Sequence, residues 1–216
     1  MKHGQPETNS PGPLPGRVFS PGDPVTIRGR IYRVRSNPIR GRRGTVYQVE
    51  DNRGRRLALK IAADRRRESL RSLGRERKKA RAYRRYGFPH AAIVAAGPGY
   101  VLKEWVEGVR GDEWVREWAR QGFPPEAGPW IRLTGLLLHG IQRRVYLRDL
   151  NQNNLVWDGA GWTIIDAGSA NRLLRRSRVR RLYLQEIPLD WGRAAGPGGE
   201  EPIRELLEAV FAARHY

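Results

Sequence analysis

The stretch "VYLRDLNQNNLVWDGAGWTIIDAGSA", Val145–Ala170, puts Asp149, Asn154 and Asp166 within a short span that also holds two apolar runs. Leu155–Trp157 and Trp162–Ile165 read as strands, and "DGAG", Asp158–Gly161, as the turn that joins them. Acidic side chains therefore stand at both outer ends of one hairpin. Polar groups so placed are held at a fixed separation, and the rest of the chain has to explain why.

At 216 residues the chain is one domain, or one domain of two small lobes, and is long enough to bury a core. It has no cysteine, which excludes a disulfide framework and a thiolate metal site, and its four histidines (His3, His90, His139, His215) are too scattered to suggest zinc. No apolar run approaches membrane-spanning length and the N-terminus lacks a signal-peptide apolar region, so the expectation is a soluble, cytoplasmic protein. The formal charge is +19, and arginine supplies 36 of the 41 basic residues. Such a balance favours anionic partners: nucleic acid, nucleotide, phosphorylated substrate or acidic protein. An arginine-rich solvated face accounts for the same charge without any partner.

Residues 1–24 hold six prolines and little periodic apolar pattern, and read as a flexible Pro/Gly-rich tail. Three stretches then alternate apolar with polar residues, "VTIRGRIYRVRS", "GTVYQVE" and "RRLALKIA", separated by "NPIRGRRG" and the turn "DNRG"; they read as three successive antiparallel strands. From Arg65 to Tyr86 a charged run with Leu70, Leu73 and Ala80 at helical spacings predicts a helix. "AAIVAAGPGYVLKEWVEG" predicts two more strands around a Gly-Pro turn. After Gly108 the pattern turns helical: "GDEWVREWARQG", then "PEAGPWIRLTGLLLHGIQRR" opened by a proline, and after the hairpin the basic run "RLLRRSRVRRLYLQ", the loop "GRAAGPGGEEP" and a last helix "IRELLEAVFAARHY".

These parts, in this order, resemble a minimal protein-kinase-like fold over about residues 30–175. Gly41 and Gly44 stand at the second and third glycines of G-x-G-x-x-G-x-V, with Val46 at its valine and Ile39 in place of the first glycine. "LALK" matches the V-A-I-K strand and ends at Lys60; "LRDLNQNN" gives Asp149 and Asn154 the spacing of the catalytic loop; "DAG" at Asp166 stands for D-F-G. The resemblance implies an α+β fold of two lobes, an antiparallel β-rich N-lobe with one helix and a hinge over 25–107 and a short, mostly helical, truncated C-lobe over 108–216.

It also implies roles. The Gly41–Gly44 turn would fold over ATP, and Lys60 would hold its α- and β-phosphates. Lysine occurs at only five positions, so one at the end of this strand is informative. Glu76 is the chosen helix partner for Lys60, with Glu68 as the alternative. Asp149 would orient the acceptor hydroxyl and accept its proton, while Asn154 and Asp166 would ligate Mg2+. The hairpin would then fix the distance between the loop that bears the base and the turn that bears the metal ligand. For the adenine, Val46 and Ala58 would form the roof, Val156 the floor, and the backbone from Glu104 to Val106 the hydrogen-bonding edge. Lys103 would fall at the rear of that slot, an unusual place for a cation, so either the register slips by one or the slot is atypical.

Departures from the family pattern bear on substrate. Leu147 replaces the His of H-R-D while Arg148 is kept, Ala167 replaces the Phe of D-F-G, and Asn151 stands where serine/threonine kinases carry lysine. About 50 residues follow Asp166 and no A-P-E motif appears. This truncation resembles RIO-type atypical kinases, the small kinase of the tRNA-modification machinery, lipopolysaccharide kinases and small bacterial serine/threonine kinases. The expectation is an ATP-dependent phosphotransferase acting on a hydroxyl, foremost Ser or Thr of an acidic or hydroxyl-bearing protein. A small-molecule or sugar kinase and an inactive, basic nucleic-acid-binding pseudokinase are the alternatives. Arg172–Arg181 either docks an acidic protein, RNA or ribonucleoprotein, or is an amphipathic helix packing Leu173, Leu174, Val179 and Leu182. Ser169 and Ser177 are candidate autophosphorylation sites.

Overall fold

The structure, a computed structural model, describes residues 15–41, 44–166 and 170–214. Contacts divide the chain into two compact units. The first runs up to Lys78 and includes Ala92–Trp105; the second comprises Lys79–Ala91 and the chain from Val106 onward.

The first unit is a curled antiparallel sheet with a helix on one face. Its strands are β1 (Pro24–Ile27), β2 (Arg30–Val34), β3 (Ile39–Gly41), β4 (Gly44–Glu50), β5 (Arg56–Ala62), β6 (Ile93–Gly97) and β7 (Tyr100–Glu104). They follow the order β1-β2-β4-β5-β7-β6, with β3 paired to β4. The first alternating stretch is thus two strands and not one, because Arg28 (φ 50°) and Gly29 (φ 74°) turn it back on itself. Period-two alternation sorts the side chains cleanly. Tyr47, Val49, Leu57, Leu59, Ile61 and Leu102 face one core together with Val25, Ile27, Tyr32 and Val34. On the opposite face Ala62 and Val101 meet Leu73 of helix α1 (Arg67–Arg85).

Part of the segment expected to be a tail is packed. The Gly16 N–H donates to the Ala62 carbonyl at 2.9 Å, and Phe19, 2 % exposed, lies edge-on to Tyr47. Burial of the Phe19 ring helps hold this stretch on the sheet. The segment 79–91, expected in the N-lobe, groups with the second unit because Tyr83 and Phe88 are buried in that unit's core.

The second unit is built on α2 (Gly111–Arg120), α3 (Gly128–Arg143), α4 (Arg176–Ala195) and α5 (Glu200–Ala212). Two small sheets complete it: β8 (Val109–Arg110) with β10 (Leu155–Trp157) and β11 (Trp162–Ile164), and β9 (Tyr146–Leu147) with β12 (Ala170–Asn171). Asp112 and Glu113 open α2 and Arg120 closes it, matching the helix dipole. α4 starts within the basic run and continues through Glu186–Trp191 to Ala195, beyond where the loop was expected. Its interior Pro188 is tolerated because the flanking Ile187 and Trp191 are buried in the core. Six tryptophans form one network: Trp114 and Trp130 each stack on Trp118 at 4.9 Å between centroids, while Trp162 is edge-on to Trp114, Trp157 and Trp191.

Candidate active site

In the first unit the antiparallel register does the positioning. Ala58 pairs with Lys103 across β5 and β7, and Lys60 with Val101, so Lys60 and Lys103 are diagonal neighbours on the face that meets α1. On α1, Leu73 and Glu76 are one turn apart and both buried. Leu73 fastens the helix to the sheet through Ala62 and Val101, and that contact delivers the Glu76 carboxylate between two lysines. Lys60 Nζ lies 3.1 Å from Glu76 Oε2, and Lys103 Nζ 2.5 Å from Glu76 Oε1. Glu76, and not Glu68, is therefore the helix residue that meets Lys60; Glu68 is exposed in the first turn.

Burial by itself would push the Glu76 carboxyl up, but the Lys103 and Lys60 ammoniums outweigh it and hold the group below its ordinary range. This also resolves the position of Lys103. The strand register turns it inward, and Glu76 gives the buried ammonium a counter-ion. Composition carried a signal for it, since lysine is as rare at Lys103 as at Lys60.

The other first-unit residues lie along the same strands. Val46 pairs directly with Lys60 and, like Ala58, is half-buried on the same face. Gly41 pairs with Gly44 in the β3–β4 hairpin. A Cβ on Gly44 would stand 2.5 Å from the Ile61 carbonyl oxygen, so the β4–β5 approach itself demands glycine here. Glu104 gives its N–H to the Ala92 carbonyl at 2.8 Å and its carboxylate to Arg55 at 2.7 Å. Only its carbonyl is left to serve as a ligand edge.

In the second unit the stretch Leu147–Asn154 forms a tight loop. Asn151 accepts a hydrogen bond on its side chain from the Asn153 N–H at 3.1 Å and caps a short 3-10 turn, Gln152–Asn154. Leu147 is buried in the core. Its N–H donates to the Tyr183 hydroxyl at 3.2 Å, and Trp191 Nε1–H donates to the Leu150 carbonyl at 3.3 Å, so α4 holds the loop from beneath.

Asp149 is exposed and has a left-handed backbone, φ 65°, a conformation costly for a non-glycine residue. Asn154 Nδ2–H donates to the Asp149 carbonyl at 2.8 Å, which commits the amide nitrogen and leaves Oδ1 as the free acceptor face. Leu155 pairs with Ile164, and one step further the Ile165 N–H donates to the Asn154 carbonyl at 2.9 Å. The strand ladder thus sets Ile165 against Asn154, one residue before Asp166. One carboxylate and one amide oxygen are hard donors suited to Mg2+, with phosphate and water oxygens completing the shell. Among the described residues no three His, Asp or Glu side chains converge on one point.

Sequence reading missed Asp190 on α4. Burial, only partly opposed by Arg193, pushes its carboxyl up, and the Glu186 and Asp149 carboxylates push it the same way. Val156 is buried at the centre of β10, opposite Arg110 on one side and Thr163 on the other, and Val106 is half-buried. In the basic run, Val179 is fully buried and Leu174 and Leu182 partly so, but Leu173 is 92 % exposed with φ 59°, outside the packed face expected for it. Ser177 is exposed in the first turn of α4, while Ser169 and Ala167 lie outside the described residues.

No protein-family model matches the chain, and no curated protein matches it. Among solved structures it is similar to the BubR1 kinase domain, with 14 % identity and a TM-score of 0.52 over 73 % of this chain and 53 % of that one. It is also similar to Rv3197 from Mycobacterium tuberculosis, solved with erythromycin, with 20 % identity and a TM-score of 0.47 over 63 % of this chain and 46 % of that one. The chain spans about half the length of the structures it matches. The likeness to the BubR1 kinase domain is one of fold: this chain has a protein-kinase-like fold.

Proposed function

We propose that the chain is an ATP-dependent phosphotransferase, in the manner of a minimal bacterial serine/threonine kinase or a RIO-like atypical kinase. It moves the γ-phosphoryl group to a hydroxyl, foremost of Ser or Thr in a protein. The observation that carries this reading is the buried ion pair of Lys60 with Glu76, since a kinase-like fold uses its strand lysine for phosphates only when a helix glutamate holds it. Bound Mg2+ would neutralise phosphate charge. Lys60 would hold the α- and β-phosphates as a point charge, and Asn154 and Asp166 would hold the metal. The Asp149 carboxylate accepts the acceptor hydroxyl's proton as the new P–O bond forms and the bond to the leaving ADP breaks. The exposed Arg172, Arg175, Arg176, Arg178 and Arg181 favour an acidic protein as the acceptor.

The test is incubation of purified protein with radiolabelled ATP and Mg2+, comparing wild type with Asp166→Ala and Lys60→Ala in the presence of protein, sugar and small-molecule acceptors. Label on protein in the wild type alone supports the reading. Label on a sugar or small molecule moves the acceptor class and keeps the chemistry. No transfer and no ATP binding, together with salt-sensitive RNA binding, would replace it with the basic nucleic-acid-binding pseudokinase.

A further inference from the structure

Glu76 is tied to two strands at once. Lys103 reaches it from β7 and Lys60 from β5, each ammonium on its own carboxylate oxygen. The two contacts are unequal. The Lys103 side chain is 6 % exposed and its contact is 2.5 Å, against 14 % and 3.1 Å for Lys60. A charge-assisted hydrogen bond gains strength as water is excluded, and of the two lysines Lys103 is the more deeply buried. The lysine expected to meet a ligand has the longer and less buried contact with Glu76.

We propose that Lys103 is a positioning residue, which anchors Glu76 and with it α1 to the sheet independently of Lys60, so that the Glu76–Lys60 pair is assembled before any nucleotide binds. The inference rests on the reading of Lys60 as the phosphate-holding lysine. Where a single Lys–Glu pair is the only polar tie between helix and sheet, engaging the lysine with phosphate competes with holding the helix. Here the tasks are divided: Lys60 can turn toward a ligand while Lys103 keeps the carboxylate in place. Helix position ceases to be a point of control.

The test is amide hydrogen exchange in the full chain without nucleotide, followed over residues 70–78 of α1, in wild type, Lys60→Met and Lys103→Met. Methionine keeps an unbranched apolar stem in both variants and removes only the charge. Lys60→Met is expected to leave exchange within about twofold of wild type, and Lys103→Met to speed it by about tenfold or more, as loss of a charged hydrogen bond implies. With nucleotide, Lys103→Met should show a raised KM that saturating ATP largely overcomes, whereas Lys60→Met loses kcat.

Equal exchange in Lys103→Met and wild type, or equal loosening by the two substitutions, overturns the proposal, because a stem that only fills space would give the first result and two equivalent anchors the second. Should Lys103→Met fail to fold, the wild type still decides: in protein labelled with 15N and 13C the anchored Lys103 ammonium must give a sharp, slowly exchanging signal coupled to the Glu76 carboxyl carbon, and its absence refutes the anchor. Neither readout needs turnover. Asymmetric exchange without phosphoryl transfer sinks the kinase reading alone, and transfer with symmetric exchange sinks this inference alone.

Discussion

Asn154 donates its side-chain N–H to the backbone carbonyl of Asp149 at 2.8 Å, closing the five-residue loop between the candidate base and the candidate metal ligand. One amide group therefore has two parts to play: its nitrogen fixes the loop and its oxygen remains an acceptor. Asn154→Ala removes both and should lower stability by about 1 kcal/mol, or about 2–4 °C in Tm, while reducing phosphoryl transfer by at least about a hundredfold. Asn154→Asp keeps an oxygen ligand but sets a carboxylate against the carbonyl, so it should lose stability while retaining more Mg2+-dependent activity than Asn154→Ala. Thermal melts and transfer assays on the two variants check this.

Asp149 has a left-handed backbone, which glycine adopts at little cost. Asp149→Gly and Asp149→Ala both remove the carboxylate and should both abolish transfer. The glycine variant should nevertheless be more stable than the alanine variant by about 1 kcal/mol in urea unfolding. Equal stability of the two would mean that no strain resides at this residue.

The Glu76 carboxyl is held below its ordinary value of 4.5 in the fold. A depressed acid contributes stability that is present above the unfolded value and is lost as pH falls through the folded one. Glu76→Gln should therefore be much less stable than wild type at pH 7, by about 3–5 kcal/mol because two buried ammoniums lose their counter-ion. The gap should narrow as pH falls below about 4.5. Denaturant midpoints measured across pH give the comparison.

Gly111 opens α2 against the loop Leu147–Asn154, where a Cβ would stand 2.5 Å from the Gln152 carbonyl oxygen. Gly111→Ala should cost about 1–3 kcal/mol by overpacking, despite alanine's higher helix propensity. Gly135 in the middle of α3 has nothing within 4 Å of such a Cβ, so Gly135→Ala should raise Tm instead.

What could be read from the chain was local. Strand alternation, the DGAG turn and the spacing from Asp149 to Asn154 each depend on neighbours a few residues away, and the hairpin Leu155–Ile164 forms as the pattern predicts. Lys103 was harder, because its role depends on the pairing of β5 with β7 and on which face of α1 turns inward. Those are tertiary facts that no window of sequence contains. The length of α4 was not legible either: Pro188 sits inside it, among residues buried in the core. Arg28–Gly29 was overlooked as a turn because Ile31 extends the apolar spacing of Val25 and Ile27, yet the inward set shifts to Tyr32 and Val34 and Ile31 is exposed.

The tryptophan network gives this protein an internal optical reporter. Six of its seven tryptophans belong to the second unit, and their rings are close enough for their electronic transitions to couple; the first unit has only Trp105, near its boundary. Fluorescence and the circular dichroism of coupled indoles will therefore follow loss of the second unit almost alone, while the tyrosine-rich sheet of the first unit stays spectrally quiet. A backbone signal that melts at a different temperature from the indole signal would show the units unfolding separately, with no label attached to either.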